Sequence, residues 1–233
     1  MKRFVVIIGL YCATTAFPLA AQDAAGAGQK PEIQTQESQS AMTPAAALER
    51  LKEGNRRFVA NATKRRDWSA KVVATASGQF PFAAVLGCMD SRAPIEVVFD
   101  QGIGDIFVIR VAGNIVNDDE LGSLEYAVKV GTKLIVVLGH TSCGAVKGAI
   151  DGVQFGHLTG LLSRIHPAIA AAGCDNSKEA ACVTKVAEMN VRQSVREIRA
   201  ESPFLAKYLD DGSVQLVGAL YDVATGKVTF LEN

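Results

Sequence analysis

Five residues stand at spacings that could do chemistry on a metal ion: Cys88, Asp90 and Arg92 in one stretch, His140 and Cys143 in another. Thiolate sulfur and imidazole nitrogen are ligands that zinc favours, and a catalytic zinc takes three protein ligands and keeps a fourth position open. His140 and Cys143 are three residues apart, near enough across one turn to chelate a single ion, whereas Cys88 must come from another element. A helix starting at Gly144 would place Cys143 at its positive end, where thiolate is favoured. Asp90 and Arg92 follow Cys88 at spacings of two and four, so in an extended segment all three side chains emerge on one side. The guanidinium would keep the carboxylate ionised and oriented, and that carboxylate could accept a hydrogen bond from a metal-bound water. Singly, Cys88 reads as well as a small buried hydrophobe, His140 as a hydrogen-bonded core histidine and Asp90 as a helix cap. A structural zinc with Asp90 as fourth ligand is the stronger alternative to catalysis. His157, in a Gly-rich turn, and His166, beside Pro167, default to surface or packing roles.

Positioning such a set requires strands. Each stretch closes an apolar run, 82–87 before Cys88 and 134–139 before His140, and open α/β sheets build sites beyond the carboxyl ends of their strands. Further strands are expected at 106–111, 214–221 and 227–231, the last two joined through Thr225-Gly226 as a hairpin. Helices are expected at 44–62, behind Thr43-Pro44 as cap and first-turn proline, and from 118 with Leu121, Leu124, Ala127 and Val128 as its stripe. Others follow from 144, over 158–171 with an interruption at Pro167, and over 177–200; residues 63–80 lack clear periodicity. The alternation predicts an α/β fold: a mainly parallel central sheet flanked by helices, with an antiparallel C-terminal edge hairpin. The charges opposite the apolar stripe of the 44–62 helix, among them Arg50 and Arg57, read as a solvated face. The Lys64-Arg65-Arg66 cluster reads likewise, a membrane or polyanion contact being the lesser alternative.

Lys2 and Arg3, an apolar run from Phe4, and small residues at Ala20-Ala21 have the order of a secretory signal peptide cleaved near Ala21. That predicts a periplasmic or secreted protein without stable membrane insertion after cleavage. Residues 22–42 read as a flexible tether, leaving 43–233 as a single zinc-dependent α/β catalytic domain. Composition is 48% hydrophobic with zero formal charge, so no basic surface for nucleic acid is expected. Export permits disulfides. With Cys88 and Cys143 in ligand-like company, Cys174 and Cys182 are left to pair across the polar loop 175–179, or to remain two free thiols.

The blocks Cys88-Met89-Asp90-Ser91-Arg92-Ala93-Pro94, Arg110-Val111-Ala112-Gly113-Asn114 and Gly139-His140-Thr141-Ser142-Cys143-Gly144-Ala145 resemble the signatures of the β-class carbonic anhydrases, over roughly residues 44–231. The resemblance implies reversible hydration of carbon dioxide to bicarbonate and a proton on one zinc per subunit. Cys88, His140 and Cys143 would be the ligands, and Asp90 and Arg92 the pair orienting a zinc-bound hydroxide. It also implies that Gln79 lines the substrate pocket, in many members from across a dimer interface. In some members the aspartate leaves its arginine and closes the fourth zinc position, so Asp90 is a possible ligand too. A homodimer or dimer-based tetramer is the implied assembly. Met89 and Ala93 depart from the serine and valine common at their places, without replacing a functional residue. Hydrolysis of carbon disulfide or carbonyl sulfide on the same scaffold, and a non-catalytic zinc-stabilised binding protein, are the alternative activities.

Overall fold

A computed structural model describes residues 32–232; the expected signal peptide and residues 22–31 of the expected tether lie outside them. The five strands are β1 (Ala83–Gly87), β2 (Ile106–Arg110), β3 (Leu134–His140), β4 (Gln215–Tyr221) and β5 (Val228–Phe230), in the order β2-β1-β3-β4-β5. The first four are parallel and β5 runs antiparallel to β4 at the edge, as expected. β1 and β3 are central and buried at every residue, which is why their sequences are unbroken apolar runs rather than alternations. β2, on the other edge, is only half-buried.

The helices are α1 (Gln36–Ala41), α2 (Pro44–Val59), α3 (Trp68–Thr75), α4 (Ile95–Val98), α5 (Asp118–Val130), α6 (Gly144–Ile150), α7 (Gly156–Ser163), α8 (His166–Ala172), α9 (Ala180–Glu201) and α10 (Pro203–Asp210). Both sheet faces are covered. Leu51 of α2 and Ile95 and Val98 of α4 share one core with Val85, Val136 and Val217. Leu124 and Val128 of α5, Val191 and Ile198 of α9 and Leu205 of α10 share the other with Leu86, Ile135 and Val137. α9 crosses β3 so closely that a Cβ on Gly139 would stand 2.5 Å from Val191, so a side chain there would push α9 off the strand. α2 starts where Thr43 predicts, the Thr43 hydroxyl accepting from the Ala46 N–H at 3.2 Å. Asn55, a polar residue in its apolar stripe, is satisfied: it donates to the Val98 and Gly226 carbonyls and accepts from the Val228 N–H.

Three expectations are corrected, and one further helix stands where none was expected. Within the expected tether, 36–41 is helical, started by a Thr35–Ser38 capping box, with buried Gln39 donating to the Pro81 carbonyl at 2.8 Å. Polar bonds rather than apolar periodicity fasten this segment, so a hydrophobic pattern could not show it. Inside 63–80, Asp67 caps α3, whose one buried residue is Lys71 while Val72 and Val73 are exposed, a reversed polarity that hides the helix from periodicity. The helix expected over 158–171 is two helices, with Pro167 in the first turn of α8 rather than interrupting a longer helix. Beyond 200, Ser202 caps α10 and Pro203 opens it, a signal present in the sequence but unused. Among the described residues no helix is long and apolar enough to cross a membrane.

Candidate metal centre

Parallel pairing brings the two stretches together. β1 and β3 are neighbours in register, Gly87 beside Leu138, so Cys88 leaves the sheet next to the end of β3, whose last residue is His140. Thr141 and Ser142, the latter at φ 55°, turn the chain so that Cys143 becomes the N-cap of α6. All three side chains are buried, and their ligand atoms lie within 4.8 Å of one another.

The donors fit a zinc ion. The two sulfurs are 4.0 Å apart, against about 3.8 Å for two sulfurs on one tetrahedral zinc with Zn–S bonds of ~2.3 Å. His140 Nδ1 lies 2.8 Å from the Thr141 carbonyl, which can only accept, so Nδ1 keeps the proton and donates it while the Nε2 lone pair faces inward. That Nε2 is buried without any hydrogen-bond partner, a costly state unless a cation meets it. Cys88 and Cys143 are free thiols. Cys88 is pushed down to about 4 by the Cys143 thiol beside it, with the His140 ring and the Gly113 N–H adding to this against the effect of burial. Cys143 is pushed far up, first by its bond to Cys88 and then by burial, although the Ala145 and Val146 N–H groups of α6 act the other way. Without a cation the pair holds on to one proton between its two sulfurs, because a second buried anion 4.0 Å away is too costly. A dication removes that cost and deprotonates both.

Asp90 and Arg92 do converge, but through a turn rather than an extended segment. The Ala93 N–H bonds the Asp90 carbonyl and the Arg92 N–H bonds Asp90 Oδ1 at 2.9 Å, folding the Arg92 side chain back. Its Nε donates to Oδ1 at 3.0 Å and its Nη2 to Oδ2 at 2.8 Å. The guanidinium, outweighing burial, holds the Asp90 carboxyl well below the usual carboxylate range. Arg92 Nη2 also reaches the Ser142 carbonyl, tying the first stretch to the second. Asp90 Oδ2 is 3.8 Å from His140 Nε2 and stands outside the three-ligand cluster. Arg110, which opens the second signature block but has no role in the sequence reading, stands at the end of β2, donates to the Cys88 and Asp90 carbonyls at 3.1 and 2.7 Å and pins the loop between them.

Other expected residues fall elsewhere. Gln79 is exposed and precedes the amino end of β1, so the length of that strand, on the order of 17 Å, separates it from the cluster in its own chain. Cys174 and Cys182 are joined in a disulfide across the α8–α9 connection. His157 and His166 are exposed.

A family profile described as carbonic anhydrase matches residues 83–228. Carbonic anhydrase 2 of Mycobacterium tuberculosis is 38% identical over 197 residues, covering 82% of this chain and 94% of that protein. The carbonic anhydrase of Mycolicibacterium smegmatis is 38% identical over 195 residues, covering 79% and 92%. Of solved structures, a tetrameric β-carbonic anhydrase from Sordaria macrospora superposes with a TM-score of 0.64 at 27% identity, covering 69% of this chain and 85% of that one. The Coccomyxa β-carbonic anhydrase in complex with acetazolamide gives 0.61 at 27% identity, covering 77% and 83%.

Proposed function

This chain belongs to the β-class carbonic anhydrases, a family of zinc-dependent lyases, and from that premise we propose that Cys88, His140 and Cys143 hold the zinc and that the Asp90–Arg92 pair organises the hydration of carbon dioxide. The observation that carries this reading is an unpartnered, buried His140 Nε2 facing two sulfurs, with an arginine-locked carboxylate 3.8 Å away. Zinc, when bound, supplies the Lewis acidity that brings a ligated water near neutral pKa and readies it for attack on carbon.

Each residue has a task that its contacts support. The Thr141 carbonyl fixes the His140 tautomer, so the imidazole can bind metal only through Nε2. Arg92 donates twice to Asp90 Oδ1, through its backbone N–H and Nε, and once to Oδ2, which keeps the carboxylate ionised and leaves Oδ2 able to accept a hydrogen bond from the reacting water. The intact Asp90–Arg92 pair holds the carboxylate on its arginine, which favours catalysis over a structural zinc with Asp90 as fourth ligand. Gln79 serves a neighbouring subunit's pocket, since its own lies at the far end of the strand; this rests on an oligomer built from dimers. Gln79→Ala is expected to raise KM with zinc content unchanged, and an unaltered KM would refute the role.

We also read the protein as exported. The disulfide supports an oxidising compartment, and N-terminal sequencing of the mature chain is expected to begin near Gln22.

The deciding experiment measures zinc content and stopped-flow carbon dioxide hydration on the mature chain and on Asp90→Asn. The variant is expected to keep its zinc and lose about 10²-fold in kcat. Zinc without hydration at any pH in the parent chain would overturn the activity, and full activity in Asp90→Asn would overturn the role of the pair.

A further inference from the structure

α9 buries Val191 and Ile198 in the core it shares with the sheet and Val183, Val186 and Ala187 in the cluster around Cys88 and Cys143, yet Asn190 and Ser194 among them are only 2% and 1% exposed. Buried polar side chains are tolerated only when bonded, and both bond the same short piece of main chain. Asn190 Nδ2 donates to the Gly113 carbonyl at 2.7 Å and Ser194 Oγ to the Asn114 carbonyl at 3.1 Å. Those carbonyls belong to the tight turn that follows β2, in which Gly113 (φ 73°) and Asn114 (φ 43°) are both left-handed.

Gly113 faces two ways. Its N–H donates to Cys88 Sγ at 3.3 Å and its carbonyl is held by Asn190. A Cβ there would stand 2.8 Å from Ile165 Cδ1 and 3.2 Å from Ala145 Cβ, so the position requires glycine. Glycine is also the residue freest to leave a conformation. The N–H and carbonyl flank one Cα, so a bond that anchors the carbonyl restricts the φ and ψ that aim the N–H. We propose that Asn190 is a positioning residue for the metal centre, holding the Gly113 N–H on the sulfur of Cys88. Nothing in a sequence pattern marks it, because the residue it acts through is a glycine 77 positions away.

An N–H bond to a thiolate sulfur stabilises its charge and lowers the electron density it gives to a metal. Outer partners that orient ligands in this way typically carry 10–100-fold in metal affinity or activity. Ser194 is the internal comparison. It makes the same kind of bond, from the same helix face, to the next carbonyl, but Asn114 donates nothing to a ligand sulfur.

The inference rests on Cys88 being a metal ligand, and the test separates the two. Zinc affinity is measured by chelator competition on the parent chain, Asn190→Ala and Ser194→Ala, together with the sulfur-to-metal charge-transfer band of the cobalt-substituted proteins. Asn190→Ala is expected to weaken zinc binding about 10–100-fold and to move the band to longer wavelength. Ser194→Ala should melt at a similarly reduced temperature while its affinity stays within about twofold and its band unmoved. If Asn190→Ala does not fold, Asn190→Asp, of equal size but without the amide donor, is read by the same two measurements. A folded Asn190 variant with parental affinity and band would overturn the proposal while leaving the metal site intact. A parent chain that binds neither metal would overturn the site itself.

Discussion

The two ends of the sheet carry buried polar clusters of similar density that are completed in opposite ways. At the amino ends of the strands, Asp100 is almost wholly buried and receives Arg57, Arg66 and the Lys64 N–H. Asp105 beside it accepts the Gly102 N–H at 2.7 Å and faces Arg50 at 3.6 Å and Lys71 at 3.8 Å. At the carboxyl ends, Cys88, His140 and Cys143 are as deeply buried, but among the described residues no Lys or Arg side chain bonds their ligand atoms, and His140 Nε2 has no hydrogen-bond partner. Both ends shift pKa values. Burial alone would raise Asp100, yet Arg66 and Arg57 hold it below the usual range. Perturbed titration therefore does not separate the ends; structural ion-pair networks produce it too. What separates them is where the cations go. At the base Arg57 and Arg66 close on Asp100 while Arg50 and Lys71 face Asp105. At the top Arg92 is taken up by Asp90, and three metal-ligand side chains are left facing one another.

The contrast can be attacked at either end. The largest effect is expected from Cys143→Ala, which should weaken zinc binding by more than about a thousandfold, ~4 kcal/mol, while the metal-free protein melts nearly as before. A variant that kept stoichiometric zinc against a chelator would break the comparison. Asp100→Ala should do the reverse: a loss of about 3–5 kcal/mol in denaturant unfolding, because Arg57 and Arg66 lose the carboxylate that offsets their charge and only Arg66 keeps carbonyl partners, with parental zinc content in the folded fraction. An unchanged midpoint would show that the base is not held by charge. Next comes Cys174→Ser, which opens a disulfide between residues eight apart. It should cost about 2–3 kcal/mol and leave kcat unchanged, since neither sulfur belongs to the Cys88–His140–Cys143 group.

The smallest effect is the pH dependence of the base. The folded-state pKa of Asp100 lies below its unfolded value, so as pH falls the unfolded chain takes up the proton first. The stabilisation from Asp100 is complete above the ordinary aspartate pKa and drains away below about pH 4. The stability gap between the parent chain and Asp100→Asn, measured by denaturant unfolding from neutral pH to pH 3, should therefore narrow with acid. A gap that widened would invert the assignment.

The two ends also differed in legibility. The upper cluster could be read because each ligand is tied to a strand end, and strand ends are marked by apolar runs. Asp90 and Arg92 could be paired from their spacing, although a turn and not a pleat joins them. The base was misread. Arg50, Arg57 and Arg66 look like a solvated face and a basic patch, but Arg57 and Arg66 turn inward onto Asp100 and Arg50 onto Asp105. Charges scattered over more than fifty positions have no period, and only packing reveals which of them meet. α3 escaped for a related reason: its buried residue is Lys71, which donates to the Glu32 carbonyl.

By itself the sequence determined the ligand types, the strands that end at them, the sheet with its terminal hairpin and the Asp–Arg partnership, because hydrophobic runs and short spacings are local properties. Tertiary structure alone decided how those ligands are presented. It placed β1 beside β3, left His140 Nε2 buried without a hydrogen-bond partner, brought the two sulfurs to 4.0 Å and tied the Gly113 carbonyl to Asn190 on α9 while its N–H meets Cys88. These depend on which distant surfaces pack together, and a buried group's charge, partner and direction are set by that packing rather than by its neighbours in the chain.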